Sequence, residues 1–194
     1  MANKTELYGL RPVRQLNGSP FINAQNRYRI AADYGVSIYQ GDLVEPTTAG
    51  TIAKHSGGTS GQVVGVFNGC FYTDPTTQKP TFKNYYPSST NASDIVAYVI
   101  DAPDTVFEMN SNLSFTNGVA DLFQNYSVTD TTGNTATGIS YAQLDVGSSG
   151  VAGTFVVQAI DISQNPDNQD LTVSNVGVLV RINNHFYRQS GTGK

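Results

Sequence analysis

Ile95-Val96-Ala97-Tyr98-Val99-Ile100 is an unbroken apolar run, too short for a stable helix and rich in β-branched side chains. Such a run suits a strand buried on both faces near the centre of a sheet. Downstream, Leu113-Ser114-Phe115-Thr116, Asn117-Gly118 and Val119-Ala120-Asp121-Leu122 read as a hairpin with a two-residue type I′ turn. That register pairs 116 with 119 and places Leu113, Phe115, Ala120 and Leu122 on one face. Thr154 to Asp161 and Val176 to Ile182 are the last strong strands, and in the latter Val176, Val178, Val180 and Ile182 alternate onto one face. The turn-rich Ser163 to Asp170 separates them. Residues 127–153, rich in Thr and Gly before Tyr141 to Val146, are expected as an exposed hairpin or finger.

Upstream of the opening run, short β-like runs follow one another at Tyr28 to Ala32, Val36 to Tyr39, Leu43 to Glu45, Thr51 to Lys54, Gln62 to Phe67 and Cys70 to Tyr72. Between Thr73 and Asp94 lie three prolines and many Ser and Thr, the pattern of a surface crossing between two β-rich halves. Gly, Thr, Ser and Asn are abundant and charged residues make up only 13%, a mixture that starves helices and favours strands and turns. The predicted fold class is all-β: a β-sandwich or small β-barrel units with an extended N-terminal arm. The arm covers residues 1–30 and the β-rich core residues 31–190, with a natural subdivision into 31–84 and 94–190.

Charge is sorted along the chain. Residues 1–30 hold Lys4, Arg11, Arg14, Arg27 and Arg29 against Glu6, whereas residues 31–180 hold fourteen carboxylates against only Lys54, Lys79 and Lys83. Arg181, Arg188 and Lys194 restore positive charge at the end; Arg181 falls in a predicted strand, leaving Arg188 and Lys194 as the tail proper. The net charge of −4 argues against a protein that coats nucleic acid, so direct nucleic-acid contact is not expected. Neither a signal peptide nor a membrane-spanning run is read in the sequence, which suggests a soluble chain made in a cytoplasm. The basic arm interleaves its arginines with apolar residues, as a segment that docks on an acidic protein would.

Residues suited to catalysis are sparse. His55 and His185 are the two histidines, neither at metal-ligand spacing nor beside a recognisable nucleophile, and both read as polar loop or strand-end residues. Gly58-Thr59-Ser60-Gly61 and Gly147-Ser148-Ser149-Gly150 miss the nucleophile-elbow spacing. Cys70, among Phe67, Phe71 and Tyr72, reads as a small core hydrophobe. Asp101 and Asp104 read as turn carboxylates, and Asn165 to Asp170 lacks the glycine and terminal glutamate of a calcium loop. No nucleotide-binding motif is present, and no enzyme activity, cofactor or metal is expected.

Tyr8-Gly9-Leu10-Arg11-Pro12-Val13-Arg14 with Asn17-Gly18-Ser19-Pro20 resembles the opening of small virion structural proteins of tailed bacteriophages. Gly41-Asp42-Leu43-Val44, Gly65 to Tyr72, Asp94 to Val99 and Val178 to Asn183 also resemble segments of that group. The resemblance spans most of the chain except residues 124–153. It implies a capsid cement, or decoration, protein, made in the host cytoplasm, that sits on the exterior of an icosahedral shell and clamps adjacent major capsid subunits. The expected partners are the major capsid protein and other copies of this chain, as a trimer or dimer, without a membrane. The expected capsid-binding residues are Tyr8, Arg11, Arg14, Phe21, Arg27 and Arg29. The alternative is a host-adhesion or carbohydrate-binding β-sandwich, suggested by 11 Tyr and 9 Phe, although there is no Trp.

Overall fold

A computed structural model of the chain describes residues 3–188. In chain order the strands are β1 (Arg11–Gln15), β2 (Asn26–Arg29), β3 (Leu43–Pro46), β4 (Ile52–Lys54), β5 (Gly65–Thr73) and β6 (Pro80–Lys83). They continue with β7 (Val96–Ile100), β8 (Thr105–Asn110), β9 (Asn125–Val128), β10 (Leu144–Gly150), β11 (Val157–Ile162) and β12 (Gly177–Ile182). All pairings between them are antiparallel, and the described residues contain no α-helix. The first sheet runs β2-β7-β5-β3-β4, with β6 also paired to β5; the second runs β1-β8-β12-β11-β9-β10. The protein is all-β, two six-stranded antiparallel sheets consistent with a β-sandwich.

The opening apolar run becomes β7, with β5 on one side and β2 on the other. Its Ala97 and Val99 are buried in a core belonging to the first sheet, together with Val44, Phe67, Cys70, Tyr72 and Tyr86. Ile100 points the other way, into a larger core shared with the second sheet. That second core also takes Leu43 and Val66 from the first sheet, and Phe107, Val157, Val178 and Val180 from the second. A bulge in β5 keeps the alternation in step: pairing with β7 shifts between Phe67 and Cys70, so both side chains enter the same core. Gly69 sits at this bulge with φ +125, a backbone conformation that side-chain-bearing residues avoid.

Val176, Val178, Val180 and Ile182 all lie in the larger core, as their alternation predicts. Four features differ from the sequence reading. Asn117-Gly118 does not close a type I′ hairpin; Gly118–Asp121 is a short 3-10 turn, and Asn117 has φ −101 where that hairpin needs a positive value. The Asp121 carboxylate accepts hydrogen bonds from the Asn117 backbone N–H at 3.1 Å and from its side-chain amide at 2.8 Å, folding the segment back on itself. Residues 73–94 are not only a crossing, because Pro80–Lys83 adds β6 to β5. The change of sheet comes later, between Ile100 and Thr105.

Residues 127–153 are not a projecting finger along their length. Val128 and Leu144 pair within the second sheet, and Gly138 and Ser140 between them are buried. Ser140 Oγ donates to the buried Asp42 carboxylate, which also accepts from the Tyr39 N–H at 2.8 Å. Lys54 Nζ lies 3.8 Å from Asp42 and 2.8 Å from Asp130, tying this segment to β4. Burial raises the Asp42 carboxyl above the ordinary range, against the opposing charge of Lys54.

The N-terminal residues are extended but are not a separate arm. Arg11–Gln15 is the outer strand of the second sheet, paired with β8, and Asn26–Arg29 is an outer strand of the first, paired with β7. Leu10 is buried in the larger core and Phe21 packs against it. The segment therefore crosses from one sheet to the other.

Candidate interaction surface

The register of the second sheet sets Arg14 of β1 and Arg181 of β12 on either side of Val106 in β8. Residues directly opposite in neighbouring strands share a face, so the two arginines stand on one face about 10 Å apart. Val106 is fully buried yet belongs to neither core, whereas the next residue, Phe107, points into the larger core. Arg14 and Arg181 are therefore on the outer face of the sandwich. Arg188 joins them from the C-terminal segment: its Nη2 donates to Pro103 O at 3.2 Å and lies 3.4 Å from Asp104 Oδ1. Burial, helped by the charge of Arg188, holds the Arg181 guanidinium below its ordinary pKa. Its Nε donates to Gln158 Oε1 at 2.9 Å, and Arg14 Nη1 donates to Gln15 O at 3.2 Å.

Apolar groups border these charges. The Leu16 N–H donates to Asp104 O at 2.7 Å, placing its exposed side chain beside the Arg188–Asp104 pair. Phe186 and Tyr187, both exposed, meet edge to face at 5.2 Å. The Tyr187 hydroxyl lies 2.9 Å from that of Tyr28, whose O–H donates to Asp101. An open groove of about 800 Å³, lined by Gln25, Asn26, Arg27, Asp101, Pro103 and Tyr187, continues the surface toward the first sheet. Arginine, tyrosine and large apolar side chains around a few carboxylates are the composition of a protein-binding surface.

The six residues expected to bind a capsid fall into different settings. Arg11 pairs with Glu108 of this same chain and lies over the Tyr8 ring at 4.6 Å. Tyr8 donates to Asn110 Oδ1 at 3.1 Å, and burial raises its phenol pKa. Phe21 is committed to the larger core, and Arg14 is on the surface just described. Arg27 and Arg29 project from β2 on the first sheet, Arg27 with its guanidinium 6.0 Å from the Tyr98 ring centre. Leu16 is among the apolar residues the sequence offers for docking in the arm, whereas Phe186 and Tyr187 are not singled out there and Arg181 is read as part of a strand; the pairing of β1 and β12 with β8 brings Arg14 and Arg181 together. Lys194 lies outside the described residues.

The histidines hold turns. His55 Nε2 lies 2.8 Å from Ser60 O, and Nδ1 accepts the Gly57 N–H at 2.9 Å, an arrangement suited to the neutral Nε2–H tautomer. Gly57 has φ +78 and a Cβ there would come within 2.0 Å of Val128 O, so glycine permits this close approach. His185 Nδ1 accepts the Tyr187 N–H at 3.1 Å, while its buried Nε2 has no hydrogen-bond partner. Burial and the nearby Arg188 charge lower the His185 pKa. Cys70 is fully buried and its thiol is pushed up to about 12, which keeps it protonated. Among the described residues no three Asp, Glu, His or Cys side chains converge on a possible metal position. Comparisons with protein-family models, curated proteins and solved structures found no match to the chain.

Proposed function

We propose that this chain is a structural virion protein, a capsid cement or decoration protein. It binds the outside of an icosahedral shell and clamps adjacent major capsid subunits. The observation that carries this reading is the meeting of the two basic ends of an acidic chain: Arg14 with Arg181 and Arg188 on one outer face, bordered by Leu16, Phe186 and Tyr187. Such a face complements a carboxylate-bearing protein surface, and arginine adds directional hydrogen bonds to that attraction. Repeated copies on a shell would act together through high effective concentration. The test is co-sedimentation with empty capsids. Arg14→Glu with Arg188→Glu is expected to lose binding while keeping the wild-type melting profile; unchanged binding overturns the reading.

A host-adhesion or carbohydrate-binding role is the second reading. It is favoured by exposed Phe71 and Phe82 beside Tyr98 on the first sheet, rings that can stack on sugar faces. A glycan array with the intact protein separates the two readings.

A further inference from the structure

The second sheet covers one face of the first only where Leu43, Val66 and Ile100 point into the larger core. The register carries that face onward through Val96 and Tyr98 of β7, Phe71 of β5, Phe82 of β6, and Arg27 and Arg29 of β2. Phe71 stands opposite both Phe82 and Val96, and Arg27 opposite Tyr98. Phe82 is 55% exposed, its ring centre 6.3 Å from that of Tyr98. Gly69 makes room for it, since a Cβ there would meet Phe82 Cζ at 2.8 Å. Neither Arg27 nor Arg29 has an ion-pair partner among the described residues. An apolar sheet face that one sheet half covers calls for a second protein layer, and the two unpaired arginines call for an acidic one.

The chain itself carries the complementary chemistry. It has no lysine or arginine between Lys83 and Arg181, and in that stretch lies β10, the edge strand of the second sheet opposite β1. At this edge Val151, directly after β10, is 93% exposed, and β10 itself carries Asp145 and no cation. The Asn125 side chain of β9 holds this end of the edge, donating to Val151 O at 3.4 Å and Ala152 O at 3.1 Å.

We propose that the aromatic and arginine face of the first sheet packs against this cation-free edge of the second sheet in another copy of the chain. The two halves are different patches, so the contact is heterologous: copies join head to tail and close into a ring or extend. The capsid reading is tested at Arg14 and Arg188 and this contact at Phe82 and Val151, so either can fail alone.

Sedimentation equilibrium of the full chain tests it. The wild type is expected to associate with rising concentration, less so at high salt because exposed charges are screened. Phe82→Glu and Val151→Glu change exposed side chains; each is expected to sediment as a monomer with an unchanged melting profile. Mixed in equal amounts they are expected to form a dimer and nothing larger, because one variant keeps an intact edge and the other an intact face. A monomeric wild type, association by either variant alone, or a mixture that stays monomeric overturns the proposal. So does a glycan that binds the monomeric wild type and not Phe82→Glu, which would assign the face to sugar.

Discussion

His185 is a buried base with one ring nitrogen unsatisfied, in a segment that also positions Phe186, Tyr187 and Arg188. Its pKa in the folded chain lies below the ordinary 6.5, because burial and Arg188 disfavour the charged ring. As pH falls through 6.5 the unfolded chain takes up a proton that the folded chain refuses, so this residue's contribution to stability is present above that pH and declines below it. Urea unfolding is expected to show a midpoint that drops on moving from neutral to mildly acidic pH, and His185→Phe is expected to flatten that drop. The sorted charge was legible residue by residue, but the meeting of Arg14 with Arg181 was not. It depends on a pairing between segments almost a hundred residues apart, which no local pattern encodes.

At the scale of elements, Phe115 and Leu113 distinguish the observed 3-10 turn from a hairpin. A hairpin would put both on one buried face; instead Phe115 is 3% exposed, edge-on to Tyr126 at 6.4 Å, and Leu113 is 53% exposed. Phe115→Ala is expected to cost about 3–5 kcal/mol by cavity formation and Leu113→Ala to stay within about 0.5 kcal/mol, read by urea unfolding. The alternation of Val176 to Ile182 was legible because burial of one sheet face demands it; Ile95 to Ile100 was legible as a strand, but its expected burial on both faces fails at Val96 and Tyr98, which are half-buried because the second sheet does not reach over them. β8 was not, although all six of its residues are buried. Its Glu108 and Asn110 hide the pattern, and they are tolerated inside because Arg11, Ser163 and Tyr8 bond to them. Asn117-Gly118 misled for the opposite reason: a strong local turn signal yielded to Asp121 and to the pull of the core on Phe115.

For the whole molecule, the N-terminal segment determines what a truncation does. Removing residues 1–27 deletes β1, half of β2, and the core contacts of Leu10 and Phe21. Circular dichroism is expected to show a large loss in melting temperature or no cooperative transition, whereas a docking arm outside the fold would leave the melt unchanged. That makes point substitutions, not truncation, the clean probe of capsid binding. The path of the segment also sets an order of events during synthesis. The paired strands of the first sheet are complete once Ile100 has been made, but Arg11 has no partner strand until Glu108 follows. A nascent copy therefore carries an unseated basic strand beside a finished first sheet until β8 follows, and β1 can seat on β8 while β9 to β12 are still to be made.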